Sequence, residues 1–263
     1  MAEGATAAHY ERLAGTYDLN WTYSDAFVEW MAGEIVDSLS LTADDRIADV
    51  GCGTGLYTRR VLRLVRPRTP VLCVDPSAAM LKQLSADSGL RPIRASAEEI
   101  AGVGGTTVPP VIPPGSLDAL VIKEAIHHVA LADRPRTIAG LARTLDSFGR
   151  LLIVMLPTRI EYPLFAAAMA RFEELQPDPA DIADQMRAAG LSVQVTYREF
   201  ALRIPKSRYL EMVGSRYMSL LSMFDDAEIA AGVAEIDAAH AESVLSFHDR
   251  FAFVLGGRGR STS

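Results

Sequence analysis

Three glycines alternate with small residues at the end of a short apolar run, in IADVGCGTGLYT at residues 47–58. Gly51, Gly53 and Gly55 are places where backbone without side chains can approach a ligand closely. Asp49 precedes them, and Asp75 closes the next apolar run about 20 residues beyond Gly55. A carboxylate so placed can accept two hydrogen bonds from ribose hydroxyls, so the pattern points to an adenine-bearing cofactor. The bland alternatives are a purely structural turn and a helix-capping aspartate. A dinucleotide fingerprint, G-x-G-x-x-G, needs its third glycine where this chain has Leu56. Further along stand His127 and His128. Imidazole titrates near neutrality and is the natural base for an O–H, N–H or activated C–H acceptor, unless one of the pair is structural. With Asp133 the two could ligate a metal, but no further ligand cluster supports that, and none is expected.

Alternating strands and helices must position these residues. RIADVG, PVLCVD, RPIRAS, LDALVIKE and GRLLIVMLP read as five strands. LYTRRVLRLV, SAAMLKQLSA (capped by Ser77) and RPRTIAGLARTLDSF read as helices between them. Continuous Val/Ile/Leu strands interleaved with helices predict a doubly wound α/β sheet covered on both faces. Two helices are expected ahead of this region, ATAAHYERLAGTYD and SDAFVEWMAGEIVDSL, the latter with Ser24 as N-cap. AGVGGTTVPPVIPPGS, about 16 residues, is too rich in glycine and proline for regular structure and too long for an ordinary connection. Beyond the fifth strand come helices YPLFAAAMARFEEL and PADIADQMRAAG, strand SVQVTYREFAL, helices RYLEMVGSRYMSLL and DAEIAAGVAEIDAAHAESV, and a last strand HDRFAFVLG. With no repeat and no linker, residues 1–263 read as one domain.

With 49% hydrophobic and 22% charged residues, the composition is that of an ordinary globular protein. A net charge of −7 argues against a general grip on nucleic-acid phosphates. Cys52 and Cys73 lack disulfide-like or metal-like spacing and are expected as free thiols. The first residues have no apolar signal core, and no stretch approaches 18 apolar residues, so a cytoplasmic chain without membrane contact is expected.

Taken in order, DVGCGTG, VDPSAAML, ASAEEI, SLDALVIKEAIHHV and RTLDSFGRLLIVMLP resemble the class I S-adenosylmethionine-dependent methyltransferases, strongly over residues 45–157. The resemblance implies a Rossmann-like seven-stranded sheet of order 3-2-1-4-5-7-6 with the last strand antiparallel. It also implies a helical lid over residues 1–40 and acceptor-side helices within 158–263. The implied cofactor is S-adenosyl-L-methionine. Gly51 and Gly53 would lie against its methionine part through their backbone, and Asp49 would orient the loop or the ammonium. Asp75 would hold the ribose, and Pro76 and Met80 would flank the adenine. Ser96 stands where the family often has Asp for the adenine amino group, and Ala97 would offer its backbone N–H. Lys123 would lie by the methionine carboxylate and amine through its backbone.

In the aromatic-rich segment HYERLAGTYDLNWTY, Tyr17 would approach the cofactor, and Tyr10 and Trp21 the acceptor. Tyr162, Arg216 and Tyr217 would line the acceptor pocket, a surface ion pair being the simpler account of Arg216. The implied reaction is methyl transfer to O, N or activated C of a small molecule, in secondary metabolism by analogy. The rivals are cyclisation or elimination with the same cofactor and, further off, a nucleotide-dependent oxidoreductase.

Overall fold

The structure, a computed structural model, describes residues 24–84, 88–105 and 110–259. Tyr10, Tyr17, Trp21 and the expected first helix lie outside the described residues. Helix α1, Asp25–Leu39, starts as expected, with the Ser24 Oγ accepting from the Phe27 N–H at 3.1 Å. Phe27, Val28, Met31, Ile35 and Leu39 recur at helical spacing and bury one stripe of it.

Strand β1 (Ile47–Val50) is buried along its whole length, which its unbroken apolar composition requires. It leads into α2 (Leu56–Val65), β2 (Val71–Asp75), the single-turn α3 (Ala78–Leu81), β3 (Leu90–Arg94), α4 (Ala97–Ala101) and β4 (Leu117–Lys123). A 3-10 turn, Ile126–His128, precedes α5 (Arg134–Thr144) and β5 (Leu145–Met155). The chain continues through α6 (Ala166–Leu175), α7 (Pro179–Ala188), β6 (Ser192–Pro205), α8 (Lys206–Gly214), a 3-10 turn (Ser219–Met223), α9 (Asp226–Ala239) and β7 (Val244–Gly257). The strands form one sheet, β3-β2-β1-β4-β5-β7-β6. The first five are parallel, and β7 pairs antiparallel with both β5 and β6. Among the described residues no helix is long and apolar enough to cross a membrane.

Among the elements that differ from their sequence pattern, three have a visible local cause or consequence. The helix expected through Phe148 stops at Thr144, because Leu145 already pairs with Leu117 and the register then shifts, so that Ala119 meets Arg150. SAAMLKQLSA yields one helical turn rather than three. RYLEMVGSRYMSLL is broken after Gly214, where Arg216 takes a left-handed backbone (φ 57°) that no helix accommodates.

Laterally paired residues share a sheet face, and alternate residues along a strand return to it. Asp49 pairs with Cys73 and Val121, so Asp75 and Lys123, two residues on, stand on one face at the carboxyl edge. Lys123 pairs with Val154 and Val154 with Phe253, which puts Phe251 and Asp249 on that face too. The row thus runs Asp75, Lys123, Asp249 across five strands, β2-β1-β4-β5-β7.

Candidate active site

A cleft of about 1280 Å³ is lined by Asp49, Asp75 and Lys123 of this face. Its floor is the turn after β1, where Gly51, Gly53 and Gly55 have φ of 79°, 56° and 76°. Side chains rarely adopt that backbone, which explains glycine at all three. At Gly51 space is lacking as well: a Cβ there would lie 2.4 Å from the Cβ of Ala125, on the loop after β4. The Gly51 and Cys52 N–H groups both donate to the Val74 carbonyl, at 2.8 and 3.1 Å, tying the turn to β2.

Asp75 spans this turn and the next. Its carboxylate accepts from the Gly53 N–H at 2.9 Å and from the Ser77 N–H at 2.8 Å, one on each oxygen. Each oxygen keeps a further lone pair, so a ribose can be held without displacing either bond. Burial pushes the Asp75 carboxyl above the usual range, and the two N–H bonds counter it. Asp49 is more deeply enclosed: burial raises it to about 6, although the Thr58 hydroxyl donates to its carboxylate. Thr58, on α2, carries no sequence signal of its role.

Pro76, Met80, Ser96 and Ala97 all line the cleft. The Ser96 hydroxyl accepts from the Glu99 N–H at 3.2 Å while the Glu99 carboxylate takes the Ser96 N–H at 2.7 Å. This capping box for α4 accounts for the serine locally. Left-handed glycines, a carboxylate with spare lone pairs and a buried thioether together fit a cofactor of adenosine and methionine parts.

At the end of β4 the Lys123 side chain, expected to matter through its backbone, is prominent itself. Its Nζ lies 4.4 Å from the ring centroid of Tyr57 and 5.4 Å from that of Phe251. Burial lowers its pKa, opposed by Glu124, Asp249 and Asp49. Glu124 adopts a left-handed backbone (φ 52°), and its Oε1 accepts from the Leu156 N–H at 2.8 Å, closing the ends of β4 and β5 together.

His127 and His128 line the cleft with ring centroids 4.0 Å apart. Burial holds His127 well below the usual imidazole range, with His128, Arg134 and Lys123 adding to the effect. It is therefore neutral at physiological pH. Its Nδ1 is buried and has no hydrogen-bond partner among the described residues.

The expected acceptor residues lie elsewhere. Tyr162, Arg216 and Tyr217 are not among the described residues that line the cleft. The Arg216 guanidinium donates to Asp226 at 2.8 Å and to the Phe224 carbonyl at 3.1 Å, so the surface ion pair explains it. Tyr217 is fully buried, its hydroxyl 3.3 Å from that of Tyr209. Tyr162 donates to Asp249, a buried carboxyl on β7 that the sequence pattern did not reveal. Burial raises Asp249 to about 7, and its Oδ2 accepts no hydrogen bond among the described residues. These groups stand behind the wall of the cleft.

Residues 47–149 match the family model described as a methyltransferase domain. Over that segment the chain is similar to a methyltransferase domain. An uncharacterized methyltransferase of Mycobacterium tuberculosis is 34% identical over 121 residues, 46% of this chain. The match spans 44% of that relative's own length, less than half. A ubiquinone biosynthesis O-methyltransferase of Saccharophagus degradans is 25% identical over 73% of this chain and 83% of its own. Among solved structures the cyclase SpnF superposes with a TM-score of 0.57 at 15% identity, over 88% of this chain and 80% of that one. The chain thus shares its fold with a protein named for different chemistry, so fold alone does not set the reaction.

Proposed function

We propose that this chain transfers the methyl group of S-adenosylmethionine to a small-molecule acceptor. The observation that carries the reading is the Asp75 carboxylate, fixed by Gly53 and Ser77 beside a left-handed glycine turn at the floor of the cleft. The volume, about 1280 Å³, exceeds the roughly 300–1,000 Å³ of a single-ligand pocket and leaves room for an acceptor beside the cofactor. The cofactor, when bound, supplies a methyl carbon activated by its sulfonium.

The protein's part is to bind, orient and exclude water. Gly51 and Gly53 present backbone to the methionine part, Asp49 faces its ammonium, and Asp75 holds the ribose. Pro76, Met80, Ser96 and Ala97 enclose the adenine, and the backbone at Lys123 flanks the methionine carboxylate and amine. His127 and His128 stand at the carboxyl edge as the candidate proton acceptors for an O–H or N–H acceptor, and the burial that keeps His127 neutral also makes it a weaker base than a free imidazole. Similarity to a protein named as an O-methyltransferase favours oxygen. The net charge of −7 favours a small molecule over a nucleic acid.

Likeness to a cyclase keeps one other reading in play, in which the cofactor is bound but no methyl leaves it. Incubation with methyl-labelled cofactor and a panel of phenols, amines and enolisable ketones separates the two. S-adenosylhomocysteine and a labelled acceptor are expected; a converted acceptor with the cofactor intact would defeat the transferase reading.

A further inference from the structure

Three cationic side chains, Arg94, Lys123 and Arg134, are among the described residues lining the cleft. Arg94 donates to the Pro76 carbonyl at 3.3 Å and Arg134 to the Val129 carbonyl at 3.1 Å. Lys123 differs. Among the described residues its ammonium makes no hydrogen bond or ion pair, and only the faces of Tyr57 and Phe251 attend it. Asp49, Glu124 and Asp249 bear on it electrostatically, and His127 stands near enough to feel its charge. Each carboxylate also accepts a bond elsewhere, from Thr58, the Leu156 N–H and Tyr162 in turn, and among the described residues none forms an ion pair with the ammonium. A partly buried ammonium with no direct ion pair is costly, and an anionic ligand group in contact with it lowers that cost.

Part of the wall is apolar. Leu156, Phe172, Met218 and Leu220 line the cleft, and its mouth carries Leu131, Leu175 and Met223, exposed by 73%, 40% and 39%. Such a lining accepts a flat hydrocarbon body and offers one cation to its polar end.

We propose that the acceptor is a largely apolar, ring-sized molecule with an acidic hydroxyl, a phenol or enol, which Lys123 holds as its oxyanion. This deepens the methyl-transfer reading and rests on it. Ionisation gives the hydroxyl proton to water. The lone pair left on oxygen forms the new O–C bond as the methyl C–S bond breaks, and that electron pair returns to sulfur as the neutral thioether. The ammonium is unchanged, so Lys123 stabilises the nucleophile and need not take the proton. His127, held neutral by burial, then faces no strongly basic task.

The test uses the whole chain saturated with S-adenosylhomocysteine, whose uncharged sulfur leaves Lys123 as the main local cation. 2-Naphthol and 2-naphthylamine have the same shape and differ in the acidic group. At a pH where free 2-naphthol is protonated, the bound form is expected to show naphtholate absorption, and to bind about tenfold tighter than the amine. Lys123→Met should abolish both signatures and Lys123→Arg should retain them, while circular dichroism and a cooperative thermal transition report that each variant is folded. Equal binding of the two probes, naphthol bound only in its protonated form, or no naphthol binding by a chain that binds S-adenosylhomocysteine would each overturn the acceptor class. No binding of S-adenosylhomocysteine by the unaltered chain would defeat the methyl-transfer reading itself.

Discussion

The two halves of the sheet's carboxyl edge build their sites from different materials. From β3 to β1 the work is done by backbone: left-handed glycines, N–H groups aimed at Asp75, and a carbonyl of β2 gripping the turn. From β4 to β7 it is done by side chains drawn from distant positions: Lys123 over Tyr57 and Phe251, Glu124 on Leu156, Tyr162 on Asp249. Backbone geometry ties a site to a short contiguous motif, so one ligand is served in one way. Side-chain assemblies can be exchanged residue by residue, which suits a fold that keeps its cofactor site and varies its acceptor.

The sharpest way to break this contrast is Gly51→Ala. A left-handed alanine costs about 1–2 kcal/mol, and its Cβ meets Ala125. Affinity for S-adenosylhomocysteine should fall about a hundredfold by calorimetry. An unchanged affinity would mean that the turn is not the cofactor floor. Asp75→Ala follows, with an expected loss between about tenfold and a hundredfold, since a hydrogen bond to a charged group contributes about 1.5–3 kcal/mol.

On the other half, Asp249→Asn should act on pH dependence rather than on cofactor affinity. The Asp249 carboxyl sits at about 7 in the fold against an ordinary value of 3.8. The unfolded chain therefore gives up this proton first. The stability contributed is whole below pH 3.8 and is lost as pH rises through about 7. Asparagine does not titrate, so the gap in melting temperature between acidic and mildly alkaline buffer should narrow. An undiminished gap would assign the pH dependence to other groups. The smallest effect belongs to Arg216→Ala, which breaks an ion pair to the exposed Asp226 and should cost at most about 1 kcal/mol. Its cofactor and acceptor binding should match the unaltered chain; a lost acceptor would restore Arg216 to the pocket.

The same division governed what could be read from sequence. The alternation of strands and helices was legible in continuous apolar runs, and the strand order came with the family resemblance that the local motifs at Asp49 to Gly55 and at Asp75 carry. Arg216 and Tyr217 were placed near the pocket by their position in the chain, and neither is among the described residues that line the cleft. Asp249 escaped notice because it reads as one charge in HDRFAFVLG, and only the pairing of β7 with β5 turns it inward beside Lys123. The Lys123 side chain was overlooked for a related reason: its counter-ions are defined by what they bond to elsewhere. Ser96 remained ambiguous because one hydroxyl serves a helix cap at the rim of the cleft.

Glu124 carries a consequence for variation among related chains. Its backbone is of the kind glycine adopts most readily, yet its carboxylate must reach the Leu156 N–H. Glycine would ease the backbone and release the strand end; most longer side chains would keep the strain and gain no bond. Substitutions here are therefore confined to a very small alphabet, with glutamine the nearest neighbour. Glutamate and glutamine are expected to alternate at this site in lineages whose acceptor walls have otherwise diverged.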